Sequence, residues 1–189
     1  MILTHVDDFA FAGSDDFIEE VITKVQNELT VSKIEKNVFR FTGVDISKQK
    51  DYIKMSMNES ANSVEDLEDV RNVKSEEKLS AQEMKVYRKY TGKVSWLAAN
   101  TRPDLSVIAL EMSKKMNSAT IKDLRRIKHV VEKIKSQPSE VLFSRIEKNN
   151  ESLKIFGIGD ASYKADGKST GGTIVLIGTS SGENVVPIF

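Results

Sequence analysis

A chain of 189 residues, 39% hydrophobic and 30% charged, is long enough to bury a real core as one large domain or two small ones. No apolar run approaches the length of a membrane span and no signal-peptide pattern follows Met1, so neither a membrane-embedded nor a secreted protein is expected. The absence of cysteine excludes disulfides and thiolate metal sites and fits a reducing compartment, while His5 and His129 are too few and too distant in sequence for a zinc site.

The formal net charge is zero, but the charges are segregated. Residues 1–80 carry 10 Lys/Arg against 17 Asp/Glu, residues 81–136 carry 13 against 5, and residues 137–189 carry 5 against 6. An acidic opening followed by a basic middle suits a phosphate backbone gripped by one part while metal ions are held by another. The other reading of the basic segment is a solvated helix face.

In chain order, Asp7 and Asp8 stand between two short apolar runs that read as the strands of a hairpin. Neighbouring strand residues point to opposite faces, so consecutive aspartates share a ligand only where a turn relaxes that rule. Hard carboxylate oxygens at such a tip suit Mg²⁺, which takes one or two protein carboxylates and keeps water and substrate phosphates in its shell. The alternative for Asp-Asp is turn chemistry on a solvated hairpin.

Ser14 then reads as an N-cap with Asp15 and Asp16 in the first turn, and Phe17, Val21, Val25 and Leu29 recur every four residues on an amphipathic helix. Residues 38–57 alternate in period two, with a phase shift at Gly43 that predicts a bulge and a polar turn at 48–51. They read as a second hairpin. The stretch 58–79 reads as a loop with a short helix near 64–70.

Ser80, with Glu83 three residues on, has capping-box spacing and opens a helix to about Ala99. Residues 100–102 break it, Pro103 starts a helix to about Met116, and a third runs from Thr120 to Ser136 before Pro138. Trp96 and Leu97 fall among Val94 and Ala98 and read as core. Arg102 is expected to pair with Asp104 or a neighbouring helix end. Strands return at 141–146, 153–159, 172–177 and 184–189, punctuated by Gly157, Gly159, Gly171, Gly172 and Gly178. Opening on one strand and closing on another, the chain reads as a piece of a longer polypeptide.

Four segments together carry a resemblance. His5-Val6-Asp7-Asp8 resembles the Tyr-x-Asp-Asp box of reverse transcriptases. The run from Gly92 through Trp96-Leu97-Ala98 to Thr101-Arg102-Pro103-Asp104 is similar to the signature of copia-type retrotransposon polymerases. Gly159-Asp160-Ala161-Ser162, with Lys168-Ser169-Thr170-Gly171-Gly172, resembles the start of their ribonuclease H domain. Phe41-Thr42-Gly43-Val44-Asp45-Ile46 resembles the strand of the primer-grip hairpin.

The resemblance implies an α+β fold: palm-type β-hairpins with a packed helix over 1–57, a helical thumb and connection over 58–136, and the opening strands of a ribonuclease H-like sheet over 141–189. It implies an RNA-directed DNA polymerase with ribonuclease H, dependent on Mg²⁺ and working by two-metal nucleotidyl transfer. Asp7, Asp8 and Asp160 would be its catalytic, metal-binding carboxylates.

The partners implied are RNA template, DNA primer, deoxynucleoside triphosphates and the rest of the polyprotein, with no membrane. The place implied is the cytoplasm, within a virus-like particle, or the nucleus. Lys122, Arg125, Arg126, Lys128 and Lys133 are the candidate phosphate contacts, or else a solvated face. His5 stands where the family has Tyr. The family's other palm aspartate lies on a strand before this chain begins, and the remaining ribonuclease H carboxylates lie beyond its end. Each metal site is therefore expected to be half present and the chain to be inactive alone. The alternatives are a catalytically inactive retrotransposon remnant that only binds nucleic acid, and an unrelated interaction domain with an accidental Asp-Asp turn.

Overall fold

Two-residue turns set the first part of the chain. The computed structural model describes residues 1–68, 70–146, 152–163, 169–182 and 185–188. Strands β1 (Ile2–His5) and β2 (Asp8–Phe11) pair antiparallel with His5 opposite Asp8, so only Val6 and Asp7 make the turn. Val6 has φ 51°, a left-handed conformation that crowds a β-branched side chain. Ser14 caps α1 (Asp15–Glu28) by accepting a hydrogen bond from the Phe17 amide. The helix forms as its periodicity predicts, but no residue on it is fully buried.

Strands β3 (Val38–Phe41), β4 (Val44–Lys48) and β5 (Tyr52–Ser56) form a meander rather than a single hairpin, and β6 (Glu140–Ser144) extends it in the order β3-β4-β5-β6. Gly43 is not a bulge. Phe41 pairs directly with Val44, and Thr42 and Gly43, with φ of 50° and 82°, form the tight turn whose twist suits a hairpin. The phase shift seen in the sequence is this turn. Phe39, Ile46, Met55 and Val141 stand in one cross-strand row, and Arg40, Asp45, Ser56 and Glu140 in the next row, on the opposite face.

The helices α2 (Asn58–Asn62), α3 (Ala81–Asn100), α4 (Ser106–Lys114) and α5 (Ile121–Lys135), with a 3₁₀ turn at Pro103–Leu105, contribute to one buried cluster that also takes in this sheet. Val44 and Met57 from the sheet side share one buried cluster with Tyr87, Val94 and Leu97 of α3 and Leu124, Ile127, Val131 and Ile134 of α5. The cluster spans residue 57 and continues to the end of α5. The short helix expected near 64–70 instead sits at Asn58–Asn62. Val64 is buried in the core, and the Glu65 carbonyl accepts from the Tyr90 hydroxyl instead of a following amide.

A separate antiparallel sheet, β7-β8-β9, is built from Leu153–Tyr163, Ser169–Thr179 and Val185–Ile188. Its first two strands run longer than the glycines suggest. Gly157, Gly159, Gly171, Gly172 and Gly178 lie inside strands, each opposite a residue that carries a side chain. The first strand after α5, β6, is hydrogen-bonded to β5 and not to this sheet. Among the described residues the chain is thus a mixed α+β protein with small antiparallel sheets and five α-helices. No helix among them is long and apolar enough to cross a membrane.

Candidate nucleic-acid interface and carboxylate hairpin

The geometry of the β1–β2 hairpin separates its two carboxylates. Asp7 is the second residue of the turn and Asp8 the first residue of β2, and both are exposed. His5, opposite Asp8, packs edge-on against Phe41 with ring centroids 6.5 Å apart, which joins the hairpin to the β3–β4 turn. Among the described residues neither aspartate has an ion-pair partner, and no three acidic or histidine side chains gather closely enough to enclose a metal. Among the described residues this turn therefore offers at most two carboxylates and no closed protein cage.

Asp160 is also exposed, in the body of β7 opposite Gly172. This removes the alternative of a strand-end turn residue, because β7 continues three residues past it. Its neighbour across the strand carries no side chain, so the carboxylate stands clear on its face of the sheet.

Helix α5 carries the basic candidates on two faces. At roughly 100° per residue, Lys122, Arg126, His129 and Lys133 line one stripe, with Lys128 farther round the helix beyond Arg125. Lys122 and Lys128 are exposed. Arg126 and Lys133 meet acids only loosely, at 3.6 Å from Glu111 and 3.4 Å from Asp104. Half-exposed pairs of this kind are screened by water and salt and contribute little, so both cations remain available to a stronger anion.

Arg125 is engaged within the fold. Its guanidinium donates to the carbonyls of Arg71 and Val73 at 3.2 and 3.1 Å and to the Ser75 hydroxyl at 3.2 Å. The same 71–79 strap accepts the first-turn amides of α5, from Ile121 to the Glu77 carbonyl and from Lys122 to the Ser75 carbonyl. Helix α5 thus receives its missing N-terminal acceptors from the strap, and Arg125 holds the strap in place.

Trp96 departs from the sequence reading. Leu97 is buried, but Trp96 is 47% exposed on the outward face of α3. The phase was legible: the buried stripe runs through Tyr87, Tyr90, Val94 and Leu97, and Trp96 lies roughly 200° round the helix from Val94. Lys85, Lys89 and Gly92 share that outward face, with Lys89 paired to Glu65. A Cβ on Gly92 would meet no atom within 4 Å, so nothing inside the chain demands glycine at this mid-helix position.

No family model, curated protein or solved structure matches this chain.

Proposed function

We propose that this chain is reverse-transcriptase polypeptide of the copia type, reaching from the later palm through the thumb into ribonuclease H. In this reading the helical segment holds an RNA–DNA duplex through its backbone and the Asp7–Asp8 hairpin supplies one side of a Mg²⁺ site. The observation that carries the reading is the outward surface of α3 and α5. Among the described residues Lys122 and Lys128 are exposed with no ion pair, Arg126 and Lys133 are loosely paired, and an exposed Trp96 adjoins a glycine that internal packing does not require.

The physical case for a nucleic-acid ligand is compositional and energetic. Cations such as Lys122, Arg126 and Lys133 on one helix face, with Lys128 on the next, release counterions when they meet phosphates, which gives affinity without reading sequence. An exposed aromatic ring offers contact area to bases or sugars that a solvated lysine face lacks. Glycine in the middle of a helix costs roughly 1 kcal/mol relative to alanine, a cost with a purpose if another backbone approaches closely there.

At the hairpin, Asp7 would hold the cation and Asp8 would support it, while the β3–β5 meander positions the primer strand. Bound Mg²⁺ would supply charge stabilisation at a phosphoryl group undergoing transfer. Asp160 would serve the same end for RNA-strand hydrolysis in the later sheet.

Two readouts test the proposal. Labelled RNA–DNA hybrid should bind at low salt, with quenching of Trp96, the chain's single tryptophan. Mn²⁺ added as a paramagnetic probe should broaden the amide signals of Asp7 and Asp8 before those of other exposed acids, and Asp7→Asn should abolish that order. Absence of hybrid binding at low salt would overturn the interface, and uniform Mn²⁺ broadening over all acids would overturn the metal role.

A further inference from the structure

In the segment with the most sequence character, residues 101–104, Thr101 and Arg102 are buried while Pro103 and Asp104 are exposed. Arg102 is only 3% exposed, and its whole guanidinium is engaged. Nε and Nη2 donate to the two carboxylate oxygens of Asp104 at 2.9 and 3.0 Å. Nη1 donates to the carbonyls of Ile134 and Gln137 at 3.2 and 3.3 Å, and Nη2 to that of Lys133 at 3.3 Å. Lys133 and Ile134 lie in the last turn of α5 and Gln137 just beyond its cap, where carbonyls lack an amide of the helix as donor, and a cation there also opposes the negative end of the helix dipole.

The adjacent residue completes the joint. Thr101 is buried, and its hydroxyl shares a hydrogen bond of 2.8 Å with the Ser139 hydroxyl. Ser139 has both backbone groups tied to the sheet side: its amide donates to Asn58 Oδ1 at 2.6 Å and its carbonyl accepts from the Met57 amide at 2.8 Å. One short block at the end of α3 therefore grips the exit of α5 and the entry of β6. Asp104 is left with an oxygen 3.4 Å from Lys133 Nζ. The Arg102 guanidinium beside it holds that carboxyl below its ordinary range, so it stays charged.

We infer that residues 101–104 form a lock that fixes α5 on the β3–β6 sheet, with Arg102 a positioning residue that, by holding the Lys133 and Ile134 carbonyls, sets where the last turn of α5 presents Lys133. The lock stands on its own geometry. Its consequence for duplex binding rests on the proposed function. With Arg125 at one end of α5 and Arg102 at the other, the basic stripe is a preformed surface and not one assembled on binding.

Lysine cannot reproduce the forked contact to a carboxylate and three carbonyls, so Arg102→Lys keeps the charge and removes the lock. Thr101→Val keeps the volume and removes only the link to Ser139. The chain has no cysteine, so spin labels at Lys48→Cys in β4 and Glu132→Cys in α5 report one defined distance.

The expected result is one narrow distance population in the otherwise unaltered chain. Arg102→Lys should broaden or split it with helix content retained, and Thr101→Val should broaden it less. Should Arg102→Lys fail to fold, Thr101→Val decides. An unchanged narrow population in every folded variant overturns the lock. Hybrid affinity is measured separately: Arg102→Lys should weaken it by roughly fivefold to tenfold, the size of one displaced phosphate contact. If the parent chain binds no hybrid, the proposed function fails while the distances still decide the lock.

Discussion

Arg125→Ala separates a structural cation from a ligand-binding one on the same helix. The guanidinium makes three hydrogen bonds, to the Arg71 and Val73 carbonyls and to the Ser75 hydroxyl. A charged donor to a neutral acceptor contributes about 1.5–3 kcal/mol when desolvated, but Arg125 is half-exposed and water can replace part of each bond. About 2 kcal/mol for the whole cluster is the resulting estimate, which lowers Tm by about 4–8 °C in a chain of this length.

The loss should also be local. Once the 71–79 strap loosens, the Ile121 and Lys122 amides lose the Glu77 and Ser75 carbonyls and should exchange with solvent faster than amides in the middle of α5. Thermal melting and amide exchange measure the two effects. Lys122→Ala is the control, expected to leave both unchanged because its side chain is solvent-exposed. If Arg125→Ala keeps the parent Tm and exchange pattern while losing hybrid affinity as Lys122→Ala does, the assignment of Arg125 to the strap is wrong.

Three further outcomes follow from the same structure. Trp96→Ala should weaken hybrid binding with a smaller drop in Tm than Leu97→Ala, because Trp96 is 47% exposed whereas Leu97 is buried; a drop as large as that of Leu97→Ala would return Trp96 to the core. Arg71 beside Glu83, with the Ser80 amide, pulls the Glu83 carboxyl from 4.5 down to about 2, so its contribution is complete above pH 4.5 and is lost as pH falls towards 2. Glu83→Gln, which keeps the capping spacing, should therefore flatten the dependence of Tm on pH in that window, and an unchanged acid limb would count against the pairing. Val6→Asn should slow amide exchange across β1 and β2, since asparagine tolerates a positive φ that costs a β-branched residue about 1 kcal/mol, whereas faster exchange would deny the strained turn.

Local signals were legible in the sequence and long-range ones were not. Ser80 and Glu83 announce a helix start, and the pair does close: the Glu83 amide donates to Ser80 Oγ at 3.3 Å and the Ser80 amide to the Glu83 carboxylate at 2.8 Å. Arg102 does pair with Asp104, and it reaches a helix end as well, because the fork has enough donors for both. The union of β6 with β5 was hidden, since nothing near Val141 records a partner more than eighty residues earlier. The turn at Gly43 resembles a bulge in sequence because both shift the phase of alternation, and Thr42 is not an expected residue at φ 50°.

At the candidate sites the limits have a different origin. The Asp7–Asp8 turn was legible as a hairpin tip, but which acids approach it in space depends on packing that no local pattern records. The basic residues of α5 looked alike in sequence. Only the path of the 71–79 strap distinguishes Arg125, whose partners lie about fifty residues away, from Lys122 and Lys128. Trp96 shows a simpler limit: apolar neighbours in sequence do not set the face a residue occupies, which follows from its angle on the helix.

Salt dependence of RNA–DNA hybrid binding tests the central claim most directly. Log affinity plotted against log salt should fall steeply for the parent chain, and replacing Lys122, Arg126, Lys128 and Lys133 together by glutamine should reduce the slope by roughly 3, one counterion per lost phosphate contact with some discount for the existing acid partners. Arg125→Lys, tested alongside, should keep the parent slope. No binding at low salt, or a slope unchanged in the fourfold variant, would contradict a nucleic-acid interface on this helix.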